Sequence, residues 1–374
     1  MKKEHILVIR FSALGDIAMV VPVVYSLATQ YPNLHITMLS RGFARPLFED
    51  LAPNVSFMEA DIKKEYHGVK GLNALYRRLA AKHFTKIADL HNVLRSEYLR
   101  LRFNMGAYRV EHINKHRHMR RRLVANNNKV REQLPTSFEN YAEVFARLGY
   151  PVKIQFTSLF PPEGGNLNLL PAIFGPKKSF EQWIGVAPMA AHPGKIYPTP
   201  LMERVIRQLI SNHPKARIFL FGRGTEEDQL FNRWQESMPQ CLNVGKHTEN
   251  LHQELIVMSH LDVMISMDSA NMHLASLTGT PVVSIWGATH PYAGFMGYGQ
   301  PSENAIQVDS LDCRPCSIYG QKACQRGDLA CMNSISPERI VSRVEEILAT
   351  PPQFSQSPQS SQSPQPSQSS QWHQ

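Results

Sequence analysis

The run Met267-Asp268-Ser269-Ala270-Asn271-Met272-His273 gathers an acid, a hydroxyl, an amide and an imidazole into one short stretch. It follows the apolar run Val263-Met264-Ile265 and precedes a helix over Leu274 to Thr278, which Gly279 stops. A second buried-type strand, Val282-Val283-Ser284-Ile285, comes next. A strand, a turn and a helix start in that order point unpaired backbone N–H groups and a positive dipole end outward, which suits an anion. Ser269 can cap the helix, and Asp268 can accept from nearby donors. His273 lies one turn beyond Ser269 on the same face and can donate to a diphosphate oxygen. The plainer reading is a capped helix with a core histidine. The turn Gly279-Thr280-Pro281 and Gly287 favour a backbone-lined pocket.

Three other positions carry comparable chemistry. Asp16 follows Gly15 in the turn after the first strand, at a helix start that would keep its carboxylate ionised. It can serve as a general base facing a cleft, or simply as a helix N-cap. Gly194-Lys195 follows the first strand of the second half; the glycine admits a close ligand, and the lysine supplies a point charge for phosphate or is only a solvated loop residue. The spacing of a Walker A loop is absent. Gly222-Arg223-Gly224, followed by Glu226, is a third such turn, where a carboxylate can bind a ribose or cap a helix.

Cys313, Cys316, Cys324 and Cys331 form C-x2-C-x7-C-x6-C. Four thiols among glycines could hold a tetrahedral structural zinc, although this is not zinc-finger spacing; buried thiols or disulfides are the alternatives. Residues 112–131 carry Lys115, Arg117, Arg120, Arg121, Arg122, Lys129 and Arg131 with no acid, in a chain of net charge +9. They suggest a local anionic partner, an acceptor bearing phosphate or carboxylate at an anionic membrane surface, or else a solvated loop. No nucleic-acid motif accompanies them.

The elements that position these residues alternate. Short apolar runs at Ile6–Ile9, His35–Leu39, Val55–Met58 and Lys86–Leu90 read as strands, with helices over Ile17–Gln30, Phe43–Leu51 and Leu72–Ala81 between them. Ser137–Leu148 reads as a helix closed by Gly149. The pattern restarts at Trp183–Ala187 and continues with strands at Arg217–Phe221 and Leu242–Val244. Its helices lie over 200–212, 226–237 and 251–259, and a last one, Pro337–Ala349, is capped by Ser336. The expectation is an α/β fold of two doubly wound parallel-sheet domains, 1–160 and 181–335, then a helix over 336–349. Residues 157–180 connect the halves, and a Ser/Gln/Pro tail over 350–374 is too polar to fold. Lys2-Lys3 and the apolar run behind them resemble a signal peptide, but Arg10 and Asp16 interrupt it, so the expected location is the cytoplasm. A hydrophobic content of 43% suits a globular domain pair.

Phe11-Ser12-Ala13-Leu14-Gly15-Asp16, Asp89-Leu90-His91 with Arg95-Ser96, and Asp268 to Ala275 through Gly279-Thr280-Pro281 to Gly287 resemble the heptosyltransferase family, glycosyltransferase family 9, over about residues 5–349. The resemblance implies a GT-B fold, two Rossmann-like domains facing a cleft. It implies inverting transfer of heptose from ADP-heptose to the lipopolysaccharide inner core, with Asp16 as general base and no cofactor required. On that reading Lys195 holds phosphate, Glu226 the ribose, Asp268 the donor sugar and His273 the diphosphate region, with Ser269, Ala270 and Asn271 at the helix start. His91, Arg95 and the basic segment with Arg120, Arg121 and Arg122 face the anionic acceptor, in peripheral contact with the cytoplasmic face of the inner membrane. Two departures bear on the donor: Ala270 stands where family members usually have glycine, and Ala190-Ala191 where they usually have hydroxyl residues. They keep two alternatives open, a same-family transferase using another nucleotide sugar for a different surface glycan, and a non-catalytic nucleotide-sugar-binding protein.

Overall fold

A computed structural model describes residues 4–106 and 108–350. The expected tail lies outside the described residues from position 351 onward. The first half runs β1 (His5–Ile9), α1 (Leu14–Ala18), α2 (Val21–Gln30), β2 (His35–Ser40), β3 (Val55–Glu59), α3 (Gly68–Ala80), β4 (Lys86–Asp89), α4 (Leu94–Met105), β5 (Arg109–His112), α5 (Arg117–Leu123) and α6 (Ser137–Arg147). The second runs β6 (Trp183–Ala187), α7 (Thr199–Asn212), β7 (Arg217–Leu220), α8 (Thr225–Ser237), β8 (Cys241–Asn243), α9 (Val244–His247), α10 (Leu251–Ser259), β9 (Val263–Met267), α11 (Ala270–Leu277), β10 (Val282–Trp286), β11 (Ala305–Gln307), α12 (Ala330–Asn333) and α13 (Pro337–Ala349).

The strands form two sheets, ordered β3-β2-β1-β4-β5 and β8-β7-β6-β9-β10-β11. Every recorded strand pair is parallel. Both sheets therefore reverse their winding beside their first strand, and that switch point is where open α/β sheets bind ligands. Register fixes what meets there. Ile9 pairs with Asp89, so the loop carrying Asp16 adjoins the loop carrying His91. Ala187 pairs with Ser266, so the Lys195 loop adjoins the Asp268 turn.

Strand runs such as β9 and β10 are buried at every position, as expected for strands covered on both faces. α3 and α4 cover one face of the first sheet through Leu75, Leu79, Leu99 and Phe103. A larger core is shared by both halves, joining Val20 and Val24 to Met272, Leu274 and Phe295. α13 packs on α7 in the second half, with Ser336 accepting from the Arg339 N–H at 3.3 Å and Pro337 opening the helix, as the sequence predicts.

Several elements differ from the expectation. The helix over Ile17–Gln30, which the sequence shows interrupted early by Pro22, is two separate helices, because Pro22 supplies no N–H for the bond that would join them. The helix expected over Phe43–Leu51 is a 3-10 turn, Gly42–Leu47, that contains Pro46. α4, β5 and α5 fill a stretch with no clear apolar period. In α4 only Ser96, Leu99 and Phe103 are buried, while Leu94, Leu101 and Met105 face outward, so the inward stripe is masked. Among the described residues no helix is long and apolar enough to cross a membrane.

Candidate active site

In the first half, the chain leaves β1 through Arg10 and enters α1, with Asp16 in its first turn. Arg10 is buried and tied down. Its guanidinium donates to the carbonyls of Ser12 (2.9 Å) and Leu90 (2.6 Å) and pairs with Asp16 Oδ2 at 2.6 Å. The Ala13 N–H also points at Oδ2, at 3.3 Å. Burial works against the charged carboxylate, but Arg10, the Ala13 N–H and nearby His273 outweigh it and hold Asp16 below its usual pKa. Asp16 is thus ionised, and 28% of its side chain stays open to the cleft. The Tyr141 hydroxyl donates to the Asp16 carbonyl at 3.3 Å, and burial raises its pKa, so it remains a phenol. Sequence reasoning missed Arg10 and Tyr141; the one signal for Arg10 was a lone cation ending an apolar strand.

Asp89, fully buried at the end of β4, accepts the N–H groups of His91 and Asn92, each at 2.9 Å, and so shapes the next turn. His91 then sits beside Ser12, with Nε2 3.4 Å from its hydroxyl. Burial, helped by Arg10 and Lys115, lowers its pKa to about 3, so His91 is a neutral hydrogen-bonding group rather than a cation. Arg95 is exposed in the first turn of α4, and its charge is felt at His91.

In the second half, Gly194-Lys195 forms a 3-10 turn. The Ala288 N–H donates to the Gly194 carbonyl at 2.8 Å, and a Cβ at Gly287 would lie 2.6 Å from that oxygen, so this approach needs glycine. Lys195 Nζ pairs with Asp268 Oδ2 at 2.9 Å, and the Thr289 hydroxyl donates to the same oxygen at 2.7 Å. Asp268 therefore holds Lys195, and its side chain is 5% exposed. α11 begins at Ala270, earlier than the Leu274 start predicted. Ser269 occupies the N-cap position but makes no capping bond; its hydroxyl lies 3.2 Å from that of Ser266. The first-turn N–H groups at Ala270, Asn271 and Met272 consequently receive no cap from Ser269.

The two half-sites meet. A Cβ on Gly15 would lie 2.9 Å from His273 Cδ2 and 3.4 Å from the Ala270 Cα, so the α1 turn packs directly on α11. Burial lowers the His273 pKa to about 4, against the pull of Asp268 and Asp16. Its buried Nδ1 has no hydrogen-bond partner among the described residues. An orphaned polar atom at a shared switch point suits a ligand group. Glu226 stands exposed in the first turn of α8.

The basic segment is divided rather than uniform. Arg121 and Arg122 are exposed on α5. Arg120 donates to the Tyr319 hydroxyl at 2.6 Å and lies 5.1 Å from the centre of the Phe295 ring. Lys129 donates to the carbonyls of Asp312 (3.0 Å), Cys313 (2.7 Å) and Pro315 (3.0 Å). Arg131 donates to those of Leu311, Asp312 and Arg314. The end of the segment is thus a strap onto the cysteine loop, and the spare carbonyls of that loop explain its cations.

The four cysteines line one small cavity, and each is a free thiol. Burial raises the pKa of Cys316, and that of Cys331 to about 11. Among the described residues no group of three or more His, Cys, Asp or Glu side chains is placed to hold a metal ion.

The family model for glycosyltransferase family 9 (heptosyltransferase) matches residues 72–324. Lipooligosaccharide heptosyltransferase 2 of Campylobacter jejuni is 26% identical over 138 residues, covering 35% of this chain and 40% of that protein. The chain thus spans well under half the length of that curated relative. A glycosyltransferase family 9 structure from Veillonella parvula superposes with a TM-score of 0.69 at 18% identity, covering 93% of this chain and 98% of the other. The structure of Escherichia coli ADP-heptose lipopolysaccharide heptosyltransferase II gives a TM-score of 0.64 at 18% identity, covering 92% and 98%. At such identity these two show the fold, the GT-B arrangement of paired α/β domains.

Proposed function

The chain belongs to glycosyltransferase family 9, the heptosyltransferase family, and on that premise we propose that it moves heptose from ADP-heptose to the inner core of lipopolysaccharide. The observation that carries the reading is the meeting of Asp16 from one half with His273 and the α11 start from the other. An acceptor hydroxyl in the cleft gives its proton to Asp16 as its oxygen bonds to the anomeric carbon. The bond from that carbon to the diphosphate oxygen breaks, and the nucleotide leaves with the electron pair from the opposite face, inverting the centre. The first-turn N–H groups of α11 and the Lys195 ammonium, held in place by Asp268, balance the charge that grows on the diphosphate. The His273 ring packs against the Gly15 turn where the two halves meet. No metal enters this scheme, because backbone dipoles and Lys195 supply the positive charge.

His91, as a neutral imidazole, and Arg95 line the acceptor side, and Glu226 reaches for the ribose. The donor nucleotide is inferred from the likeness to the Escherichia coli protein that is described with ADP-heptose. An acceptor built on lipid places the enzyme at the cytoplasmic face of a membrane. A second reading rests on Ala270, whose β-carbon narrows the approach to the α11 start and favours a differently shaped donor, for a different glycan.

Asp16→Ala tests the reading. Transfer is expected to fall by about 10²–10⁴-fold while nucleotide-sugar binding persists. Full activity in that variant would sink the assignment. Melting shifts with ADP-, UDP- and GDP-sugars separate the two donor readings, since stabilisation by UDP- or GDP-sugars alone rejects ADP-heptose.

A further inference from the structure

α4 turns to solvent side chains that a soluble helix normally buries. Leu94 is 85% exposed, Leu101 58% and Met105 78%. With the half-buried Tyr98 they follow one another at helical spacing, so they form one apolar stripe along the outer face. Val69, 66% exposed, lies at the start of α3. The two helices pack side by side, and the Arg102 guanidinium sits 4.6 Å from the centre of the Tyr76 ring. Isolated exposed apolar residues need no explanation, but an ordered stripe with a neighbour on the adjoining helix does.

The surroundings are cationic. Residues 61–109 hold 11 Lys and Arg against 4 Asp and Glu, a net +7 in a chain whose total is +9. The few acids near α4 are taken elsewhere: Asp89 and Glu97 face Arg100, and Glu111 pairs with Arg147. Arg95 and Arg102 flank the stripe, and Lys70 and Arg77 stand on α3 with their charges uncompensated by those acids.

We propose that the outer face of α4, with the start of α3, docks the protein on an anionic lipid bilayer. Leu94, Leu101 and Met105 enter the boundary between headgroups and acyl chains, and the flanking arginines and lysines meet lipid phosphates. A second copy fits this face poorly, because a two-fold contact would set one strongly basic surface against itself. α4 begins three residues after His91, so docking brings the mouth of the cleft to the lipid surface. The proposal extends the membrane-contact part of the transferase reading and rests on it for its purpose, but lipid binding is measured without any sugar transfer.

Flotation with phosphatidylcholine vesicles, with and without phosphatidylglycerol, is the test. The full chain is expected to float with the anionic vesicles, to do so less as salt is raised, and to float weakly with the neutral ones. In Leu101→Glu/Met105→Glu the bound fraction is expected to fall by about tenfold or more, with an unchanged melting temperature because both positions are exposed. Equal flotation of the variant, or no flotation of the wild type with either vesicle, overturns the proposal. So does sedimentation showing a lipid-free dimer that the same substitutions dissociate, which would make the stripe a self-interface. Transfer to a soluble acceptor fragment is scored separately: its absence in the wild type rejects the transferase reading and leaves a positive flotation result standing.

Discussion

Two ion pairs face each other across the cleft, and they differ in what their carboxylates have left to do. Asp268 is nearly closed off, with Lys195 at 2.9 Å and Thr289 at 2.7 Å on one oxygen. Asp16 pairs with Arg10 at 2.6 Å, yet more than a quarter of its side chain is open. Pairing alone therefore leaves the two acids alike; access to the cleft separates them. The closed pair fixes a lysine, and the open pair presents to the cleft a carboxylate kept ionised by its partner.

The largest expected effect comes from breaking the closed pair. Lys195→Met leaves Asp268 buried beside an apolar chain, which costs about 3 kcal/mol of folding stability and weakens binding of the nucleotide sugar. Denaturant unfolding and donor titration check both; a variant as stable and as tight-binding as the wild type removes the distinction. The open pair is sharpened by pH. Because Asp16 is held below its usual pKa, the acid limb of kcat/KM is expected below the ordinary carboxylate range, and the stability of the pair is present above that range and lost as pH falls from it through the lower folded value. In Arg10→Met burial acts unopposed by its main partner, so the acid limb moves upward and stability loses about 2 kcal/mol. A limb that stays in place shows that Arg10 does not tune Asp16. The smallest effect is expected at the strap. Lys129→Ala removes three donated bonds to the cysteine loop and lowers the melting temperature by about 2–4 °C, with chemistry at Asp16 retained; calorimetry beside a transfer assay reads it.

The linear chain already carries much of this. Apolar runs separated by helical periods determine two parallel sheets, because strands covered on both faces must be apolar throughout. Gly15-Asp16 and Asp268–His273 announce themselves because turns after strands need small and capping residues. Ser336-Pro337 announces a helix start for the same local reason, and the structure adds another, where Thr136 and Glu139 exchange a reciprocal pair of bonds at 2.7 and 3.2 Å.

What tertiary structure alone decides is partnership. Nothing local tells that Arg10 belongs to Asp16, that Asp268 spends itself on Lys195, or that Lys129 and Arg131 serve carbonyls some 180 residues onward rather than an anionic ligand. α4 was hidden because its apolar residues point both ways, a pattern that gains meaning only once the sheet shows which face is inside. The sequence determines which groups exist and which elements carry them. Register, burial and the packing of α1 on α11 decide which charges are neutralised and which are left free, since electrostatic roles depend on distance and on access to water, and a linear chain encodes neither.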